Sequence, residues 1–252
     1  MKDSTINIQY FKKINSYNKA YLLGFIAADG AIVQNKGYST KTLTITIHAK
    51  DIAVLELLKS ELNSSLNIKD ITYKSKSLLS YKLDVDHKRF TTSRKEIIQD
   101  LEKVGLTSNK SLTMPNLVVN IPKKYRKAFI LGYFDGDGCF VDSKVIRTRT
   151  HIKKDGSQSI YTGEKYNSNI SIKGTEQFLL GIVQELNIDS YSLKQITGQN
   201  IHTLTIVKNC EILKFYDCYN YCDFFFQRKK DKFTRKIAQV QTISSPLVTT
   251  KG

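Results

Sequence analysis

Two apolar runs in one chain, YLLGFIAADG at 21–30 and FILGYFDGDG at 129–138, both end in an acid followed by glycine. They share Leu23/Leu131, Gly24/Gly132, Asp29/Asp137 and Gly30/Gly138 at a spacing of 108 residues. A repeat on this scale is a strong constraint on the fold, because what one copy builds the other must build as well. Each run leads into a short strand-like segment, AIVQ at 31–34 and CFV at 139–141, then into β-branched alternation, TLTITIHA at 42–49 and SNISIK at 168–173. An amphipathic helix follows in each case, with Asp51 expected to cap DIAVLELLKSEL and Thr175 to cap TEQFLLGIVQEL. A second strand pair comes next, ITYK with SYKLDV and SYSLK with HTLTIV. Closing helices are expected over 96–106, EIIQDLEKVGL, and 211–221, EILKFYDCYNY.

Both halves therefore read helix, two strands, helix, two strands, helix. The predicted fold is α+β, two pseudo-symmetric αββαββα halves packed through their first helices, each with an antiparallel sheet. The first half spans 1–106, a connector with Pro115 and Pro122 spans 107–126, and the second half spans 127–241. A disordered tail is expected over 242–252. The second half is longer by about 16 residues. They fall in 142–168, which reads as an extended hairpin turning at Asp155–Gly156 and carrying six Lys or Arg against three acids.

Thirty-nine Lys and Arg against 23 Asp and Glu give the 252-residue chain a net charge of +16. Such an imbalance costs self-repulsion that a polyanion relieves, so nucleic acid is the expected partner. Apolar runs of about ten residues are too short to cross a bilayer, and the amino terminus, MKDSTINIQYFKK, lacks the apolar core of a signal peptide. The four cysteines fit reduced thiols in an intracellular, soluble protein better than a disulfide scaffold. Cys218 and Cys222 lie four apart, but no paired CxxC accompanies them, and the four histidines form no HxH pattern.

The acids at the ends of the runs are chemically out of place. A carboxylate in the last turn of a helix faces the negative end of the macrodipole, a cost of roughly 0.3–1 kcal/mol. Repetition of that cost suggests a cationic partner. Gly24 and Ala28, like Gly132 and Gly136, lie four apart and strip one face of each helix to backbone, so the two helices can approach closely and bring Asp29 and Asp137 together. Hard oxygen ligands point to Mg²⁺, with Mn²⁺ as a substitute, and the carbonyls of Ala28 and Gly136 are further candidate ligands.

LLGFIAADG and ILGYFDGDG resemble the two signature helices of the LAGLIDADG homing endonucleases, in the single-chain form with two pseudo-symmetric halves. The resemblance covers about residues 15–235, since the element order after each motif matches as well. It implies a monomer whose sheets form a saddle on double-stranded DNA and which cuts both strands of a long, specific target. It also implies that Asp29 and Asp137, at the eighth motif position, bind the metal required for cleavage. The sixth position departs from symmetry, with Ala27 in the first copy and Asp135 in the second.

The resemblance further points to a catalytic lysine after the last helix of each half: Lys110 in TSNKSL, and one of Lys229 or Lys230 in FQRKKDKF. Affinity is expected from phosphate contacts, including Arg228 and the hairpin residues Lys153 and Lys154. Base reading is expected from strand residues on one face of each sheet, with Gln34, Lys41, His48, Lys74, Arg147, Arg149 and Gln195 as candidates. Two other readings of the same fold are an RNA maturase that assists intron splicing and a DNA-binding regulator that no longer cuts. The intact pair Asp29 and Asp137 argues against the regulator.

Overall fold

The computed structural model describes residues 5–34, 37, 40–73 and 85–244. Its first half runs α1 (Tyr17–Asp29), β1 (Gly30–Gln34), β2 (Lys41–His48), α2 (Ala53–Glu61), β3 (Lys69–Tyr73), β4 (Val85–Thr92), α3 (Lys95–Val104) and the short α4 (Lys110–Thr113). Its second half runs α5 (Arg126–Asp137), β5 (Gly138–Ile152), β6 (Gln158–Gly174), α6 (Glu176–Glu185), β7 (Ser192–Gln195), β8 (His202–Ile206), α7 (Asn209–Tyr216) and α8 (Gln227–Ser244). The strand orders β1-β2-β4-β3 and β5-β6-β8-β7 are the same topology twice, with every pairing antiparallel.

Nearly every residue of α1 and α5 from the second turn onward is buried, because the two helices pack on each other at the centre of the molecule with a sheet on either side. Glycine permits the contact. A Cβ on Gly24 would lie 2.0 Å from the Phe129 carbonyl oxygen, and one on Gly132 would lie 2.0 Å from that of Tyr21. Backbone therefore meets backbone at reciprocal positions. Gly30 and Gly138 serve a different purpose from the left-handed helix stop that a trailing glycine commonly provides. Both are extended (φ −76° and −88°), and a side chain at either would run into Ile26 or Phe134, as the strand leaves the helix without an intervening loop.

Leu43, Ile45, Ile47 and Phe90 of the first sheet, and Phe140, Ile170, Ile172 and Leu204 of the second, face the helices. Alternation then sends Thr44, Thr46 and His48, paired with Thr91, Arg89 and His87, to the opposite, outer face. In the second sheet the outer face carries Cys139, Val141, Ser171, Lys173, Thr203, Thr205 and Lys194. β5 and β6 continue past the sheet as a two-stranded ribbon, turning at Gly156 (φ +81°) where Asp155 accepts from the Ser157 N–H.

Several local expectations change. Asp51 ends a 3-10 turn, Ala49–Asp51, and does not cap α2; the cap position is Ile52, which makes no side-chain hydrogen bond there. Thr175 does occupy the cap position of α6, but its hydroxyl donates to the Met114 carbonyl instead. The strand placed over SYKLDV lies mostly outside the described residues, and β4 runs over the polar-looking VDHKRFTT that follows, held by Phe90 and Thr92 in the core. The connector is partly core: Met114, Leu117, Val118 and Ile121 are buried. A further helix, α8, follows the last expected one and extends to Ser244, into the segment read as tail. Phe233, stacked on Phe140 at 4.0 Å between ring centroids, anchors it.

Candidate active site

The helix contact that Gly24 and Gly132 allow brings the carboxyl ends of α1 and α5 together. The carboxylate of Asp29 reaches across the interface, so that a Cβ on Gly136 would sit 3.0 Å from its Oδ2 and 2.4 Å from the Ala28 Cβ. Among the described residues, no hydrogen-bond donor reaches the carboxylate of Asp29 or Asp137. Burial, followed by the charge of Asp137, pushes Asp29 up to about 6, against the pull of Lys110 and Lys229. Desolvation also raises Asp137. Two carboxylates held close with their oxygens free form an anionic site that attracts a cation.

The site has two clefts of about 230 Å³, one on each side of the helix pair. One holds Asp137 with Lys110, Tyr133 and Lys173. The other holds Asp29 with Asp51, His48, His87 and Arg228.

Both halves place a buried lysine beneath the acids. Lys110 Nζ donates to the carbonyls of Ala27 (2.6 Å) and Ala28 (2.5 Å). Lys229 Nζ donates to those of Phe134 (2.7 Å), Asp135 (2.8 Å) and Gly138 (2.7 Å). The matching contacts set the two neighbours apart: Lys229 is buried against the end of α5, while Lys230 lies over the Phe225 and Tyr219 rings. Burial lowers both lysines, Lys229 to about 8. Lys110 thus donates to the Ala28 carbonyl, one of the two carbonyls named from the sequence as candidate metal ligands.

In comparison with solved structures, the chain matches the LAGLIDADG meganuclease I-AabMI bound to uncleaved DNA at 15% identity and a TM-score of 0.56, over 91% of this chain and 92% of that one. It matches the I-LtrWI LAGLIDADG homing endonuclease bound to target DNA at 17% identity and a TM-score of 0.55, over 94% and 92%. It also matches I-SmaMI bound to an uncleaved DNA target in the presence of calcium ions at 16% identity and a TM-score of 0.56, over 93% and 95%. The chain has the LAGLIDADG homing-endonuclease fold. No protein-family model matches the sequence, and no curated protein matches it either.

Placed on the LAGLIDADG fold, the residues proposed from sequence to face DNA divide by parity. His48, Arg147 and Arg149 lie on the outer face, and Lys153 and Lys154 lie at the exposed hairpin tip. Gln34 and Lys41 pair with each other on the helix-side parity, where Lys41 meets Glu102 of α3 at 2.5 Å. Gln195 shares the parity of Leu193, and its amide donates to the Gln199 carbonyl. Arg228 is engaged with Asp51. Lys74 lies outside the described residues. The outer faces also carry Thr44, Thr46, Arg89, Lys173 and Lys194, which were not named individually from the sequence, and of these Arg89 lies outside the strands expected to face DNA. Leu43, Ile45 and Ile47 fix the face of the first two; Arg89, on β4, follows only from the pairing of β4 with β2.

Proposed function

We propose that the chain is a site-specific, divalent-metal-dependent DNA endonuclease that makes a double-strand break in a long target and acts as a monomer, since one chain supplies both halves. The observation that carries this reading is the pair Asp29 and Asp137, delivered side by side by a glycine-stripped helix contact into two flanking clefts, each acid free of hydrogen-bond donors among the described residues. Double-stranded DNA as the substrate is supported by the +16 charge, by the exposed polar outer faces with Lys173 and Lys194, and by the DNA-bound state of the structural neighbours.

The donor set fits a hard cation. Asp29 and Asp137 would hold Mg²⁺, or Mn²⁺, with water and phosphate oxygens completing a shell that the protein does not supply; among the described residues no cluster of three or more His, Cys, Asp or Glu could hold a metal alone. Such an ion, when bound, supplies activation of water and neutralisation of charge on the phosphate. The chain contributes the rest. The helix contact fixes the separation of the acids, the buried lysines hold positive charge beneath them, and the outer sheet faces bind and orient the duplex. The matching sheets read the two sides of a target through alternate residues. We further propose that the chain is encoded within an intervening sequence, so that the rejoined flanks of its reading frame are the target.

The test is incubation of the protein with Mg²⁺ and DNA spanning those rejoined flanks. A double-strand cut is expected, lost in Asp29→Asn and in Asp137→Asn while DNA binding persists. No cut by the unaltered protein, or undiminished cutting by Asp137→Asn, overturns the reading.

A further inference from the structure

The two lysines beneath the acids are not equivalent. An ammonium group carries three N–H donors. Lys229 spends all three on backbone carbonyls, whereas Lys110 spends two among the described residues and keeps one. Lys110 also lines the cleft that holds Asp137, while Lys229 is absent from the described lining of the cleft that holds Asp29. Both are buried, at 9% and 6% exposure, so general accessibility does not account for the difference.

Asp135 is where the two halves differ beside these lysines. This carboxylate is 1% exposed; it lies in the lining of the Asp29 cleft, and its Oδ1 has no hydrogen-bond partner among the described residues. Its Oδ2 accepts from the Tyr21 hydroxyl of the first half at 2.7 Å and from the Phe226 N–H at 2.8 Å. Phe226 in turn accepts from the Lys229 N–H at 2.8 Å in the first turn of α8. The carboxylate thus anchors the start of the helix that carries Lys229, and Tyr21 anchors the carboxylate. The matching position in the first half is Ala27, which has no polar atom beyond its backbone.

We propose that Asp135 is a positioning residue that locks Lys229 onto the carbonyls of its own half, leaving Lys110 as the lysine that offers an N–H to substrate, so that the two halves act at unequal rates. The catalytic consequence rests on the nuclease reading; the positioning does not. Two strands cut by unequal halves separate in time, and the strand served by Lys110 is cut first.

The experiment has two arms. In the first, metal-free protein is labelled by reductive methylation and Lys110 and Lys229 are quantified by mass spectrometry. Asp135→Asn is expected to raise Lys229 labelling by about tenfold, the equivalent of one charge-assisted hydrogen bond, with Lys110 unchanged. Tyr21→Phe, which keeps the ring and removes the anchor of the carboxylate, moves Lys229 in the same direction and serves if Asp135→Asn fails to fold. In the second arm, DNA labelled on either strand is cut by the unaltered protein, which accumulates a nicked intermediate. The strand slowed by Lys110→Met is the one cut first, and Asp135→Asn brings the two strand rates together. Unchanged Lys229 labelling in both variants overturns the positioning. Raised labelling with an unaltered strand ratio overturns the catalytic consequence. An unaltered protein that labels as expected but cuts no DNA overturns the nuclease reading alone.

Discussion

Arg228 of α8 and Asp51 at the end of a 3-10 turn form a two-pronged ion pair across the halves, Nε to Oδ1 at 3.0 Å and Nη2 to Oδ2 at 2.8 Å. Asp51 is mostly covered and Arg228 is about half exposed, so the pair is worth about 1 kcal/mol. Arg228→Ala and Asp51→Ala should each lower unfolding stability by that amount, and the double variant by little more than either. Denaturant titration of the three variants measures the coupling directly.

The helix contact is far less forgiving. Gly132→Ala places a methyl group 2.0 Å from the Tyr21 carbonyl, a backbone atom that cannot turn aside. A cost upward of about 3 kcal/mol is expected. Gly163→Ala, in the ribbon with open space around it, serves as the control and should stay within about 0.5 kcal/mol. Thermal melts distinguish the two.

Asp29 is held above its ordinary value of 3.8, at about 6, chiefly by burial and then by Asp137. A raised acid favours the folded state while protonated. Its contribution is therefore fully present below about pH 3.8 and lost as the pH rises through 6. Asp29→Asn should stabilise the metal-free protein at pH 7.5 by about 2 kcal/mol, and the gain should vanish near pH 4. Added Mg²⁺ should raise the melting temperature of the unaltered protein more than that of the variant. Melts across that pH range, with and without Mg²⁺, check both statements.

The ribbon of β5 and β6 carries Arg147 and Arg149 on the outer parity, with Tyr161 directly opposite Arg149. If both arginines meet phosphates, replacing them with alanine should weaken DNA binding and reduce the slope of log affinity against log salt by about 2. Binding titrations at several salt concentrations read the slope.

Local pattern made much of this molecule legible. The motif repeat, the order of helices and strands, and the Asp155–Gly156 turn all follow from residues near one another in the chain. What the local pattern left open or placed differently shares a physical cause, which is dependence on a partner distant in sequence. Gln34, Lys41 and Gln195 are polar strand residues whose face is set only by the register of Ile32, Leu43 and Leu193 against the helices. Lys229 and Lys230 are neighbours, and only the helical spacing from Lys229 to the buried Phe233 shows which of them turns inward. Asp51 had the sequence context of a cap, yet its partner is Arg228, 177 residues away. The role of Asp135 was the least legible, because both of its partners, Tyr21 and Phe226, belong to other segments.

The reciprocal contacts of Gly24 and Gly132 have a bearing on how such a protein can diverge. The distance between the two acids is set by the thickness of two bare backbones, a dimension that side-chain substitution cannot reduce. On the nuclease reading, the spacing between the two cuts along the duplex is thus a fixed gauge of the scaffold. Target preference is free to drift through the outward residues of the sheets, while the stagger of the break is inherited unchanged.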